Sequence, residues 1–261
     1  MNPFFSIRLT AKKTVCVLLA GMLLAGSPGC AKKEWDVFSE KEREILHRLL
    51  AHWETWMPAR KADGTAPLIT FEDLYQGLSP AETGLLYRVR AVRPEKGTYV
   101  EIPQSEITFK RLEGQTIQKA GQPQVLDPQY LPEPVYEAYE NMMKAMEKDL
   151  GKRLLVESGY RSPAYQLYTF LFFLPKYHYS LKETREWVAL PGFSEHGNPR
   201  RQAIDFINPL GVNGEDRPEE FENLPEYAWL SQRARDFGFE LSFPRGTPGS
   251  AFEPWHWRHE G

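Results

Sequence analysis

Cysteine is nearly absent from this 261-residue sequence, which contains only Cys16 and Cys30. So few thiols supply neither a disulfide framework nor a cysteine-rich zinc site. Two hydrolase signatures are missing as well. No serine is followed three positions later by lysine, and no H-E-x-x-H occurs, so neither a serine-acylation motif nor a helical two-histidine zinc motif is present. Basic charge is not in excess either, with 32 Lys and Arg against 35 Asp and Glu, a formal charge of −3. Without a basic surplus there is little to neutralise phosphates, which argues against nucleic acid as a partner. There is no internal repeat, and the apolar run Thr14–Gly26 near the N-terminus is the one membrane-directed feature.

That run follows Arg8, Lys12 and Lys13 and is too short for a comfortable bilayer span, which suits a secretory leader over residues 1–29. It ends at Ser27-Pro28-Gly29-Cys30, which resembles a bacterial lipoprotein processing site, although Pro28 is unusual there. Loss of residues 1–29, which hold three bases and no acid, takes the formal charge from −3 to −6. Cys30 is then a lone thiol in an exported chain, and lipidation gives it a role. Residues 30–39 read as a tether. The alternative is an ordinary cleaved leader with a leftover cysteine.

The remainder, in a chain that is 41% hydrophobic and 13% aromatic, has enough apolar material for one substantial core, or a core plus a smaller domain. From Glu40 to Trp56, Ile45, Leu49, Leu50, Trp53 and Trp56 recur at helical spacing, and His47 and His52 fall off that stripe as solvated positions. Ser79-Pro80-Ala81-Glu82 opens a second helix with a capping signature. Residues 95–130 read as short strands and loops, so 40–130 forms a mixed N-terminal region without a chemical constellation. Beyond it, Pro134 starts a helix closed by Gly151. Arg153–Glu157 reads as a strand, Ser162-Pro163 caps an aromatic-rich helix to Phe173, and Ser180 with Glu183 forms a capping box. Ala203–Ile207 reads as a buried strand and Pro225–Phe237 as a helix closed by Gly238. Phe239–Phe243 and Phe252–Trp257 are strand candidates. Strands and helices without strict βαβ alternation predict an α+β fold for 131–261.

Three segments hold the chemistry: Ser158-Gly159-Tyr160-Arg161-Ser162, then Ser194-Glu195-His196 with Asp205, then Glu253-Pro254-Trp255-His256-Trp257. Two neutral imidazoles and one carboxylate can hold Zn²⁺ and leave a fourth position for water. A carboxylate beside them can take the water proton. Spacing alone leaves a second reading open, because His196 and Asp205 stand nine positions apart and a surface histidine with a turn aspartate fits equally. Glu253 and His256 would share a face on a helix, yet Pro254 biases Glu253 toward extended backbone, so a bend is needed to bring both to one site. Trp255 and Trp257 read as core, and Arg161, in a strand-to-helix loop, as a binding residue.

Taken together, these segments resemble the three signatures of the VanY-like D-alanyl-D-alanine carboxypeptidases, over roughly residues 130–261. That zinc peptidase group also includes VanX-type dipeptidases and shares its fold with the Hedgehog signalling domain. The resemblance implies a small antiparallel sheet flanked by helices. It makes His196, Asp205 and His256 the ligands of one Zn²⁺ and Glu253 the general base. Arg161 becomes the arginine that binds substrate and stabilises charge at the cleaved carbonyl, with Ser194 and Gln166 as further substrate contacts. One departure is that the passage from His196 to Asp205 is two residues longer than the family pattern, within a loop at Gly197–Arg201 that borders the cleft. His259 is expected to support the site or face solvent, since a catalytic zinc keeps its fourth position open.

The resulting expectation is a monomeric, lipid-anchored enzyme facing the periplasm or cell wall, removing the terminal D-Ala of peptidoglycan stem peptides. A peptidoglycan endopeptidase or D,D-dipeptidase of the same group is the second reading, and a non-catalytic wall-binding lipoprotein the third. A general base beside a full ligand set argues against the last.

Overall fold

The computed structural model describes residues 36–94, 97–247 and 251–261. The expected leader, Cys30 and most of the tether lie outside the described residues. Asp36–Gly261 packs as one unit, so no packing boundary falls at residue 130.

The N-terminal region is helical: α1 (Glu40–Trp53), α2 (Met57–Ala62), α3 (Phe71–Tyr75) and α4 (Pro80–Ala91). Full capping boxes start three of them, Ser39 with Glu42, Thr70 with Asp73 and Ser79 with Glu82. Each box satisfies two backbone donors that the first turn leaves unpaired. The α1 stripe buries Ile45, Leu46, Leu49 and Trp53. His47 and His52 lie off it, at Tyr179 Oη (2.9 Å) and the Gln76 carbonyl (3.0 Å). Two hairpin-like pairs follow, β1 (Phe109–Leu112) with β4 (Gln129–Pro132) and β2 (Thr116–Lys119) with β3 (Gln122–Val125).

Then come α5 (Glu133–Leu150), β5 (Leu155–Ser158), α6 (Pro163–Phe173), α7 (Leu181–Arg185), β6 (Ala203–Ile207), α8 (Pro218–Glu222), α9 (Pro225–Arg233), β7 (Phe239–Leu241) and β8 (His256–His259). Gly151 ends α5 in the left-handed region (φ 66°), a conformation open to glycine without a Cβ clash. The helix expected over Pro225–Phe237 tightens into a 3₁₀ turn at Ala234–Phe237 before Gly238. Only half of the expected Ser180 box forms: Ser180 Oγ accepts from the Glu183 amide, while the Glu183 carboxylate turns to His178 Nδ1 at 3.1 Å. The strand expected over Phe252–Trp257 begins instead at His256, because Pro254 and Trp255 make a turn.

The sheet runs β5-β6-β8-β7, antiparallel throughout, and helices flank it, which is the expected α+β architecture. Its two faces separate by alternation along the strands, interrupted in β5 between Val156 and Ser158. Val156, Ile204, Phe206, Trp257 and Phe239 enter a core with Tyr139, Met142, Met143 and Met146 of α5 and Trp229 and Leu230 of α9. A second core joins α1, α2 and α4 to α6 through Leu46, Leu49, Trp53, Met57, Leu86, Val89, Leu167, Phe170 and Leu171. Each such side chain contributes about 1.5–3 kcal/mol on burial. The N-terminal helices therefore share a core with the helix that follows Arg161.

Gly159 shows how tightly that junction is packed. A Cβ there would lie 2.4 Å from the Tyr130 carbonyl oxygen. Gly159→Ala is expected to lower the unfolding free energy by about 1–3 kcal/mol, read from urea denaturation.

Candidate metal centre

Asp205 occupies the middle of the central strand β6, on the face opposite Ile204 and Phe206. Its cross-strand neighbours are His256 on β8 and Ser158 on β5. Directly opposed residues of an antiparallel pair bring their side chains into contact. Asp205 Oδ1 lies 2.8 Å from His256 Nδ1. His196 reaches Asp205 from the 3₁₀ turn Glu195–Gly197, with Nε2 at 3.0 Å from Oδ2. The two rings are edge-on, their centroids 5.0 Å apart.

The outer nitrogens of both rings are already committed. His196 Nδ1 lies 2.8 Å from the Gly159 carbonyl, which can only accept, so Nδ1 carries the proton. His256 Nε2 lies 2.9 Å from Glu195 Oε2, and Glu195 is held in turn by Arg258. In neutral rings, the lone pairs of His196 Nε2 and His256 Nδ1 thus both face the Asp205 carboxylate. His196 Nε2 is buried and makes no hydrogen bond, although Asp205 Oδ2 is close. With both rings neutral, three acceptors turn on one another and need a cation between them, either a proton on His256 or a metal ion. One ligand atom from each residue can be chosen so that all lie within 4.8 Å, and tetrahedral ligands at zinc-like bond lengths stand about 3.4 Å apart. The donor set fits a metal ion, and Asp205, still 17% exposed, leaves one side open.

Without a metal ion, the charge that balances Asp205 is a proton on His256. Burial works against the carboxylate of Asp205, but the two histidines outweigh it and hold Asp205 far below the usual carboxylate range. Burial and the Arg161 charge bring His196 down to about 4. For His256, burial is outweighed by Asp205 and Glu195, and the ring rises to about 9. Burial also opposes the Glu195 carboxylate, yet His256, Ser242 and Arg258 take it down to about 2.

Glu253 reaches the site by the bend that the sequence requires. The His256 amide donates to the Glu253 carbonyl at 3.2 Å, so Glu253-Pro254-Trp255-His256 is a β-turn with proline at its second position. Burial pushes the Glu253 carboxyl up to about 7, against the pull of His256 and with Asp205, Glu215 and Glu195 adding to the rise. Arg161 follows β5, its amide donating to the His196 carbonyl at 3.1 Å. Its Nε is buried without a hydrogen-bond partner. Ser194 precedes the His196 turn and is buried. Gln166 on α6 is also buried, with Nε2 donating to the Ala189 carbonyl at 2.8 Å and Oε1 unpartnered.

The longer loop after His196 turns outward through a bond from the Arg201 amide to the Asn198 carbonyl, and Arg201 pairs with Glu260 at 2.6 Å. His259 belongs to the core face of β8 and packs edge-on against Phe239 (5.1 Å), away from the trio.

The sequence reading assigned no role to Glu195, Arg258 or Glu157. The pair Ile204↔Trp257 separates Ala203↔Arg258 from Asp205↔His256, so Arg258 shares the face of His256, and its ion pair with Glu195 appears only in the fold. Glu157 falls at the irregularity between Val156 and Ser158 in β5, where an extra residue re-aims a side chain. Burial raises its carboxyl to about 8, against a bond from Asn213 Nδ2 at 2.9 Å.

A sheet-borne site of two histidines and an aspartate, with a half-buried glutamate at the adjoining turn, has the make-up of a metal-dependent hydrolase. The model of the VanY D-alanyl-D-alanine carboxypeptidases matches residues 128–261, and the chain belongs to that peptidase family. VanXYC of Enterococcus gallinarum, a bifunctional D-Ala-D-Ala dipeptidase and carboxypeptidase, is 30% identical over 150 residues, 51% of this chain and 68% of that protein. YodJ of Bacillus subtilis (strain 168) is 30% identical over 138 residues, 51% of this chain and 47% of its own, so the chain spans about half the length of that relative. Among solved structures, the LdcB LD-carboxypeptidase is 27% identical over 51% of this chain and 60% of its own, with a TM-score of 0.43. A variant of the vancomycin-resistance D,D-pentapeptidase VanY, in complex with Zn(II), is 23% identical over 62% and 83%, also with a TM-score of 0.43.

Glu195→Ala removes the acceptor that orients His256. It is expected to weaken Zn²⁺ binding by about 10–100-fold, measured by competition with a chromophoric chelator.

Proposed function

We propose that this protein is a zinc-dependent D-alanyl-D-alanine carboxypeptidase that removes the terminal D-alanine of peptidoglycan stem peptides. One observation carries the metal reading: the inner nitrogens of two imidazoles, whose outer nitrogens are committed to Gly159 and Glu195, converge on one half-buried carboxylate. The family supplies the reaction class, and exposure of the chain to the wall, through a leader at residues 1–29 and a lipid on Cys30, supplies the substrate.

In this reading His196, Asp205 and His256 hold one Zn²⁺. Bound zinc lowers the pKa of water toward neutrality and polarises the scissile carbonyl. Glu253 takes the proton from the attacking water and delivers it to the leaving amine. The Arg161 guanidinium faces the carbonyl oxygen that gains negative charge, where a preorganised cation in a partly dry site acts strongly. Gly159 and Glu195 hold the two histidines so that the proton-bearing nitrogens stay away from the ion. Ser194 and the free Oε1 of Gln166 are offered to the peptide.

The test is mass spectrometry of zinc-loaded protein with a muropeptide ending in D-Ala-D-Ala. Release of one D-alanine, abolished by chelator, supports the proposal; release of the dipeptide, an internal cut or no cleavage overturns the carboxypeptidase assignment. Glu253→Ala is expected to keep zinc and lose at least about a hundredfold in kcat, whereas His256→Ala loses both metal and turnover. An active, zinc-bound Glu253→Ala enzyme would remove the proton-transfer role.

A further inference from the structure

The N-terminal region up to residue 127 lies outside the part of the chain that matches the family. It nevertheless grips both loops that carry the proposed substrate contacts. The first grip is on Ser162, next to Arg161. The Ser162 amide donates to the Pro67 carbonyl at 2.8 Å, and Ser162 Oγ donates to the Ile69 carbonyl at 2.6 Å. The same hydroxyl accepts from the Tyr165 amide at 3.0 Å as the cap of α6, so a buried side chain binds two elements at once. The gripping segment is itself fixed: Ala66 and Ile69 are buried in the helical core, and Gln104 Nε2 donates to the Leu68 carbonyl at 2.7 Å.

The second grip is on the loop before Ser194. The Val100 amide donates to the Gly192 carbonyl at 2.8 Å. The Tyr99 ring lies against Gly192 so closely that a Cβ there would stand 2.3 Å from Tyr99 Cε2, and it meets Phe193 edge-on at 5.5 Å. The Arg93 guanidinium covers both rings, at 5.1 and 5.8 Å. Between the grips, the bond from the Arg161 amide to the His196 carbonyl ties one loop to the other.

Arg161 most needs such support. Its buried Nε makes no hydrogen bond, so the position of its loop rests on backbone and neighbouring contacts rather than on its own side chain. The Tyr160 amide is held by the Tyr130 carbonyl at 2.7 Å on one side and Ser162 by residues 67 and 69 on the other. We infer that the N-terminal region is a positioning brace: Pro67–Ile69 sets Arg161 through Ser162, and Tyr99–Val100 sets Ser194 through Gly192. This rests on the substrate-contact reading of Arg161 and Ser194 given above. A displacement of about 1 Å in a contact group can reduce turnover about a hundredfold, so a brace of this kind acts on catalysis without touching substrate.

A double-mutant cycle on the zinc-loaded full chain, with the D-Ala-D-Ala muropeptide as substrate, tests it. Ser162→Ala is expected to lower kcat/KM about tenfold or more with zinc affinity unchanged, and Ser162→Thr, which keeps the hydroxyl, to restore most of it. Arg161→Ala is expected to lower kcat/KM further, and Ser162→Ala to add nothing in its presence. Tyr99→Ala, at a partly exposed site that is not needed for the core, is expected to show the same dependence on Ser194. Effects that multiply in both cycles, or Ser162→Ala and Tyr99→Ala enzymes with unchanged kcat/KM, overturn the brace. A silent Arg161→Ala overturns the substrate-contact reading of Arg161 and, with it, that grip's catalytic role.

Discussion

The site depends on a carboxylate placed where water cannot solvate it well. Asp205 sits mid-strand in β6 with buried residues on either side of it in sequence, Ile204 and Phe206, both directed into the sheet core. An isolated buried carboxylate costs several kcal/mol or takes up a proton. Here it stays ionised because two imidazoles flank it. The arrangement leaves His196 Nε2 without a hydrogen bond, the kind of buried polar orphan that a folded protein rarely keeps without a use. A cation between the three groups answers both the charge of Asp205 and the lone pair of His196.

Two cores hold this arrangement from opposite sides. The sheet core fixes β6 and β8, and so the pair Asp205 and His256. The helical core fixes α6, and so the loop from Gly159 to Ser162 that caps it. His196 lies between them and is bonded to the second: its ring donates to Gly159 and its carbonyl accepts from Arg161. A shift of the helical core relative to the sheet would therefore disturb His196 and Arg161 together. That is a physical reason for the N-terminal helices to be built into the same packing unit as the sheet.

Much of this was legible in the sequence, and the unreadable part has a common cause. Local signals were reliable: Ser79 with Glu82, Ser162 before Pro163, Gly151 after α5 and the apolar run Ala203–Ile207 all act within a few residues of themselves. Where a partner comes from far away, sequence spacing is silent. Glu183 forms no reciprocal box because His178, set by a left-handed turn, competes for its carboxylate. The last strand starts late because Pro254 commits the chain to a turn, and that turn is what brings Glu253 beside His256. Glu195 and Arg258 are 63 positions apart, and the ion pair by which Arg258 steadies the carboxylate on His256 appears only in the fold. The trio itself stood as one of two equal readings until the motif resemblance, and then the geometry, weighted it.

The same comparison explains where the fold carries its unfavourable groups. Glu253 and Glu157 have carboxyls raised by burial, Arg161 Nε and Gln166 Oε1 have no hydrogen-bond partner, and all four residues belong to the catalytic segments or the elements beside them. Each unsatisfied buried group costs about 1–3 kcal/mol. Elsewhere many polar groups are satisfied, among them three capping boxes, Trp53 Nε1 bonded to the Leu74 carbonyl at 3.1 Å and Tyr139 Oη bonded to the Leu154 carbonyl at 2.9 Å, although Arg153 Nε and Glu226 Oε2 are also buried without a partner. The unpartnered groups beside the trio differ in kind: a lone pair on His196, a cationic donor on Arg161 and an amide oxygen on Gln166.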